Sequence, residues 1–468
     1  MTRRSSPRTC KAHSLSIPAA HRRPPQLFAV FAALLFLASA AAVPGAAACE
    51  GDLSSLASTV DFILEEGPFA CYDGDPGADR AAVCGIFKAT IRLAPEAGPV
   101  DAPGAVGGAT DLHVLVAARA QAAANLCSAP WITFDAGGNG RGYATTFGEV
   151  APGTYAPDGA GYGDDLIYAY NARGFVTADL VFECPAGPGQ PCAGKTYATW
   201  LEPHPNAGTA WYLDTDGEGT LAAAARARAF YDWAYTNSEK PLCAHAQSSG
   251  SGRLVSVLTR FNSAQQFDSA IFEGGPVFAY APWTCDVPDS DHPLGTPPSW
   301  YHPGGEGSFV QEIFDCAYTS GTNSDSCDYR KCRDHDFDAP RMLLDSNLTR
   351  AVERDFPALD LAAVIGGDDT GHDYEQLWLW FRGLQAAGED VPGLTARSVT
   401  IRQGYCKTGA GTFNDGADCS LWNQRSFPGT SEAGTGYDPR LRNAGHDVAA
   451  DRGGSRVLEE LMAGTCGQ

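Results

Sequence analysis

The stretch Pro241-Leu242-Cys243-Ala244-His245-Ala246-Gln247-Ser248-Ser249-Gly250-Ser251-Gly252 decides how the rest of the chain is read. Pro241–Ala246 is a short apolar run of strand type, and Gly252–Phe261 has helical periodicity, so the backbone between them must turn sharply. A nucleophile raised on such a turn needs small residues two positions to either side, because larger side chains would collide in the tight backbone. Ala246 and Gly250 meet that need around Ser248, a variant of G-x-S-x-G with Ala in the first place. Shifting the frame to Ser251 puts Ser249 where the first small residue belongs, so that reading ranks lower. The plainer alternative is a serine-rich turn that caps a helix.

Outward from this turn the chain alternates strands and helices. Further strands are expected at Ile86–Leu93, Leu112–Ala117, Trp131–Asp135, Ala178–Cys184, Ser269–Glu273, Leu359–Gly366 and Ser398–Gln403, each a short apolar run bounded by Gly, Pro or polar residues. Helices are expected at Thr220–Tyr235, with Thr220 as its N-cap, and at Tyr374–Ala387 and Ser455–Met462. The alternation predicts an α/β fold: a mostly parallel central sheet with helices on both faces. Residues 277–355 break the pattern with Pro-rich and Gly-rich stretches and four cysteines, and read as a cap inserted between two strands.

Two further strand-end turns complete the chemistry. Asp135-Ala136-Gly137-Gly138-Asn139-Gly140 follows a strand directly, and glycines there let backbone N–H groups face a developing oxyanion. With the N–H of Ser249, Gly137 or Gly138 would form an oxyanion hole. A phosphate-cradling loop is the rival, but its Lys-Ser/Thr is absent. The strand Leu359–Gly366 runs into Gly366-Gly367-Asp368-Asp369, and His446 lies between the last strand and the last helix. The chain order Ser248, Asp368 or Asp369, His446 suits a nucleophile, an orienting acid and a general base.

These residues resemble the α/β-hydrolase superfamily, specifically its secreted serine esterases and lipases, over roughly Trp131 to Met462. The resemblance implies Ser248 as nucleophile, His446 as base, and Asp369 in preference to Asp368 as the acid. It implies cleavage of a carboxylic ester, small or polymeric, through an acyl-enzyme. Trp283, Trp300 and Tyr301 in the cap would line the acyl or alcohol pocket. A peptidase or polyester depolymerase on the same fold is one alternative, and a non-catalytic binding protein on a hydrolase scaffold is another. No metal or organic cofactor is implied. Cys327-x4-Cys332, Asp334-His335-Asp336 and the half calcium loop at Asp214 each lack a completing set of ligands. His245, inside a strand, reads as a hydrogen-bonded core histidine, and His372 as a loop residue that shapes the site. Asn347-Leu348-Thr349 fits a glycosylation sequon.

Composition bounds the rest. With 468 residues, 44% of them apolar and 19% charged, a large core is available and a disordered or coiled-coil chain is excluded. The net charge of −22 argues against a nucleic-acid backbone as partner. Residues 1–26 carry six basic and no acidic side chains, the apolar run Leu27–Val43 follows, and Ala46-Ala47-Ala48 supplies a cleavage site. This predicts a signal peptide over residues 1–48, a catalytic domain over 49–468 and export to periplasm or medium, with no stable membrane span in the mature chain. Its removal takes the net charge to −28. A lipid anchor on Cys49 is weakened by the absence of Leu three positions earlier. Fourteen of the 15 cysteines lie beyond the signal, an even number that fits disulfides. Near neighbours such as Cys71 and Cys84, Cys184 and Cys192, Cys327 and Cys332, and Cys406 and Cys419 are the plausible staples.

Overall fold

A computed structural model describes residues 63–71, 82–92, 109–119, 122, 125–135, 147–151, 154–157, 164–182, 220–275, 346–347, 355–367, 376–377, 380–381, 395–404, 406–407, 413–414 and 435–467, all within the unit Ala48–Gln468. The strands in chain order are β1 (Ile63–Cys71), β2 (Ala82–Arg92), β3 (Ala109–Arg119), β4 (Trp131–Asp135), β5 (Phe147–Ala151), β6 (Thr154–Pro157) and β7 (Val176–Phe182). Then come β8 (Leu242–Gln247), β9 (Phe267–Glu273), β10 (Asp355–Ile365), β11 (Thr395–Gln403), β12 (Cys406–Lys407), β13 (Phe413–Asn414) and β14 (Thr435–Tyr437). Four longer helices are described: α1 (Asp164–Ala172), α2 (Thr220–Thr236), α3 (Ser249–Arg260) and α4 (Arg452–Thr465).

Ten strands form one sheet in the order β1-β2-β3-β7-β4-β8-β9-β10-β11-β14. From β7 to β14 every neighbouring pair is parallel. The strands expected at residues 86–93 and 112–117 belong instead to an antiparallel meander, β1-β2-β3, that joins the rest through the antiparallel pair β3–β7. An apolar run buried on both faces reads the same whichever way its neighbour points, so direction was not legible there. β1 and α1 were not expected at all. Asp355, the expected last residue of the cap, begins β10, and the cap expected before it lies outside the described residues apart from Ser346 and Asn347.

Side-chain alternation along the central strands separates two cores. Ile132 and Phe134 of β4 pack with Leu166, Ile167 and Tyr170 of α1 and with Val457, Leu458 and Met462 of α4. Trp131, of opposite parity, meets Trp233 of α2 edge-on with ring centres 6.1 Å apart. Helices thus cover both faces, as period-two patterning demands. α2 forms where Ala222–Ala225 and Ala227 supply strong helix formers free of Gly and Pro. Thr220 is its first residue and is buried, and its hydroxyl meets no partner among the described residues, so the expected cap is not seen. A disulfide joins Cys243 of β8 to Cys466 at the end of α4 across 223 residues, a pairing that neighbour spacing did not suggest. Cys84 and Cys127 are also disulfide-bonded.

Candidate active site

β4 and β8 are adjacent, yet the chain leaves β4 for β7 on one side and later returns to β8 on the other. In open α/β sheets such a switch point opens a crevice at the carboxyl ends of the strands. Ser248 stands there, immediately after β8 and immediately before α3, so the turn is even tighter than the expected helix start at Gly252 implied. Its backbone has φ 53° and ψ −128°, a region that L-residues avoid, and its side chain makes no capping bond to the helix. Such a conformation costs on the order of 1–3 kcal/mol and persists only where its surroundings enforce it. The enforcement is visible. The Ser248 N–H donates to the Glu273 carbonyl at 2.9 Å, and the Ser251 N–H donates to the Ser248 carbonyl at 2.9 Å. Gly275, with φ 84°, passes so close that any Cβ on it would collide with Ser248 Cα, C and O. Ser251 lies inside α3 with its hydroxyl donating to the Ala246 carbonyl at 3.1 Å, so it is held in the helix and not on the turn.

The segment that holds His446, the base expected from sequence, is tied to this turn. His446 is half-buried in the segment that leads to a short turn at Val448–Ala450. The Gln247 amide, one residue before Ser248, donates to Asp447 Oδ1, one residue after His446, at 2.7 Å. A direct contact between the two neighbours brings the expected nucleophile and base segments together across 200 residues. The acid's strand also reaches this point. At the exit of β10 a Cβ on Gly366 would collide with the carbonyl oxygens of Ala444 and Gly445, and the Gly367 N–H donates to the Leu441 carbonyl at 2.8 Å. The glycines preceding the acid pair therefore lie against the residues preceding His446. Asp368 and Asp369 themselves lie outside the described residues.

Of the residues expected to hold an oxyanion, Ser249 is described. Ser249 is the first residue of α3, where helix geometry leaves the N–H without an intrahelical acceptor. Asp135 ends β4 paired with Ala246, so β4 ends next to the serine turn. Asp135 is fully buried and takes a two-pronged ion pair from Arg253 of α3, with Nε 3.0 Å from both carboxylate oxygens. Tyr231 of α2 adds a third donor at 3.4 Å. Burial pushes the Asp135 carboxyl up and the Arg253 guanidinium opposes it. Gly137 and Gly138 lie outside the described residues, as do Trp283, Trp300 and Tyr301.

Sequence reasoning took His245 for a core residue, and it is one: fully buried, 5.4 Å from the Phe134 ring, its pKa pushed down to about 3 by burial. It missed the partner. Glu273, also fully buried, lies with Oε2 2.9 Å from His245 Nε2. A lone acidic residue closing the apolar run Ala270-Ile271-Phe272 was the available signal. The sequon at Asn347 is corrected. That side chain is buried, accepts from Thr259 at 3.2 Å and donates to Ser256 at 3.1 Å, so it is part of the packing on α3. No group of metal-ligating residues occurs among the described residues.

A strand order with a switch point beside β8, and a strained serine between that strand and its helix, settle the architecture. The fold is the α/β-hydrolase fold. No protein-family model matches the chain, and no curated protein matches it in sequence. Among solved structures it is similar to an S-formylglutathione hydrolase from Agrobacterium tumefaciens, at 12% identity and a TM-score of 0.33, over 70% of this chain and 88% of that one. It is also similar to acetyl xylan esterase 1 from Thermoanaerobacterium sp. JW/SL YS485, at 12% identity and a TM-score of 0.35, over 73% and 80%. A glucuronoyl esterase from Solibacter usitatus gives 15% identity and a TM-score of 0.34 over 74% and 81%.

Proposed function

We propose that the protein is an exported serine hydrolase that cleaves a carboxylic ester through an acyl-enzyme. The observation that carries this reading is the enforced backbone of Ser248 with its neighbour Gln247 hydrogen-bonded to Asp447, the residue after His446. In the reaction His446 takes the Ser248 hydroxyl proton as Oγ bonds to the ester carbonyl carbon, and the carbonyl π pair moves to oxygen. The Ser249 N–H, with Gly137 or Gly138, holds that oxyanion, each donor contributing about 3 kcal/mol. Collapse breaks the bond to the alcohol oxygen, which receives the proton from His446, and water then repeats the sequence on the acyl-enzyme. Asp369 or Asp368 orients the His446 ring. Trp283, Trp300 and Tyr301 would line the pocket. Export fits the apolar run before Ala48 and the Cys243–Cys466 disulfide, and no described helix is long and apolar enough to cross a membrane.

The test is covalent labelling with a fluorophosphonate probe, mapped by mass spectrometry, with Ser248→Ala beside it. Labelling at Ser248 that disappears in the variant is expected, together with turnover of p-nitrophenyl acetate. A well-folded protein that takes no label at Ser248 would refute the reading.

A further inference from the structure

One buried glutamate among the described residues is hydrogen-bonded both to Ser248 and to the turn that follows His446. Glu273 closes β9, and its main-chain carbonyl accepts the Ser248 N–H at 2.9 Å. Its side-chain Oε1 accepts the Ala449 N–H at 2.8 Å, three residues beyond His446. Its Oε2 meets His245 Nε2 at 2.9 Å, three residues before Ser248. We propose that Glu273 is a positioning residue that sets the separation of Ser248 and His446, its main chain holding the nucleophile and its carboxylate holding the segment of the base.

The inference rests on the reading of Ser248 and His446 as nucleophile and base. The Val448–Ala450 turn is a single short 3₁₀ turn, closed by the Ala450 N–H to Asp447 and the Asp451 N–H to Val448 at 3.0 and 3.1 Å. So short a turn has little stability of its own, and its place in the site depends on what ties it down. Two side chains do so from the sheet: Gln247 at Asp447 and Glu273 at Ala449. Glu273 is itself held. His245 fixes its second oxygen, and the Phe134 ring packs beside His245 in a core without solvent. A charge-assisted bond from a clamped carboxylate to a backbone N–H fixes position more firmly than a neutral one. Reactivity falls steeply when a reacting group is displaced by about 1 Å.

Three substitutions in the full chain separate geometry from charge. Glu273→Ala should lower kcat on p-nitrophenyl acetate by about 10²-fold with KM little changed. It should also speed hydrogen exchange of the Ala449 amide. Glu273→Gln should recover most of that loss, since its carbonyl can accept from Ala449 while its NH2 donates to His245 Nε2. Glu273→Asp keeps the charge but withdraws it by about 1.5 Å, and should be slower than Glu273→Gln. If the Ala variant does not fold, the order of Gln over Asp still decides. Glu273→Asp outperforming Glu273→Gln would overturn the proposal and make Glu273 a charge-bearing acid. So would unchanged kcat and unchanged Ala449 exchange in the Ala variant. The exchange measurement needs no activity, so a wild-type chain unlabelled at Ser248 refutes the hydrolase reading while exchange alone decides the anchoring.

Discussion

Replacing Gly275 by alanine should displace Ser248, the proposed nucleophile, without altering any side chain of the proposed site. A Cβ built on Gly275 falls about 1 Å short of the ordinary 3.4 Å contact with Ser248 Cα, C and O. Backbone faces backbone there, so no side chain can swing aside. Both sides are pinned, by the Ser248 N–H on the Glu273 carbonyl and the Gly274 N–H on the Val364 carbonyl, each at 2.9 Å. The serine turn must therefore move by about 1 Å, which corresponds to roughly 10²-fold in rate, or about 2.7 kcal/mol of barrier. The left-handed φ of 84° adds a stability cost of about 1–2 kcal/mol for any Cβ. Gly174→Ala isolates that second effect. Its φ is 87°, nothing lies within 4 Å of its Cβ, and it precedes β7, at the end of the parallel strands opposite the one that carries Ser248. The assay is kcat on p-nitrophenyl acetate and the rate of fluorophosphonate inactivation, with thermal melts in parallel. Both variants should melt earlier, and only Gly275→Ala should lose about 10²-fold in both rates. Equal activities in the two folded variants would refute the steric reasoning.

Three other outcomes follow from the geometry. Cys466→Ser opens a crosslink spanning 223 residues, and chain entropy sets its loss at up to about 5 kcal/mol, read from denaturant midpoints under non-reducing conditions; a shift below 1 kcal/mol would count against it. Arg253→Met leaves the Asp135 carboxylate buried without its ion partner and should cost about 3–5 kcal/mol, whereas the double change with Asp135→Leu should recover much of it, a non-additivity that a double-mutant cycle measures. Burial of His245 should make the fold acid-sensitive. Its pKa is about 3 when folded against 6.5 unfolded, so the unfolded chain binds the extra proton and stability is lost as pH falls from 6.5 toward 3. At pH 5 the loss reaches at most about 2 kcal/mol, since the Glu273 carboxylate 2.9 Å away favours the protonated ring. Urea melts at pH 7.5 and pH 5 should therefore differ more in wild type than in His245→Gln, and equal slopes would exclude His245 as the source.

Local features were legible because they rest on short-range sterics. Trp131–Asp135 was delimited as observed, and the elbow around Ser248 was readable because only small residues at positions 246 and 250 admit that turn. Boundaries shifted where strand pairing outlasted the apolar run: β10 starts at Asp355 rather than Leu359, because the pairing of Asp355 with Thr395 and of Phe356 with Ala396 continues past the pattern. Asn347 shows the converse. Its tripeptide has the form of a surface sequon, yet hydrogen bonds to Ser256 and Thr259 bury it.

The sequence by itself determined the strand-to-helix turn at Ser248, the runs that become the central strands, and the order of serine, acids and histidine along the chain. Each follows from residues within a few positions of one another, where backbone strain and periodicity leave few options. The tertiary structure alone decided that β7 lies between β3 and β4, that Cys243 finds Cys466, that Gln247 meets Asp447, and that Glu273 reaches Ala449. The three residue pairs stand 176 to 223 residues apart, and which of them meet is set by the pairing of the whole sheet and the burial of its two faces. No window of sequence contains that information, because the free energy that selects it belongs to the packed core as a unit.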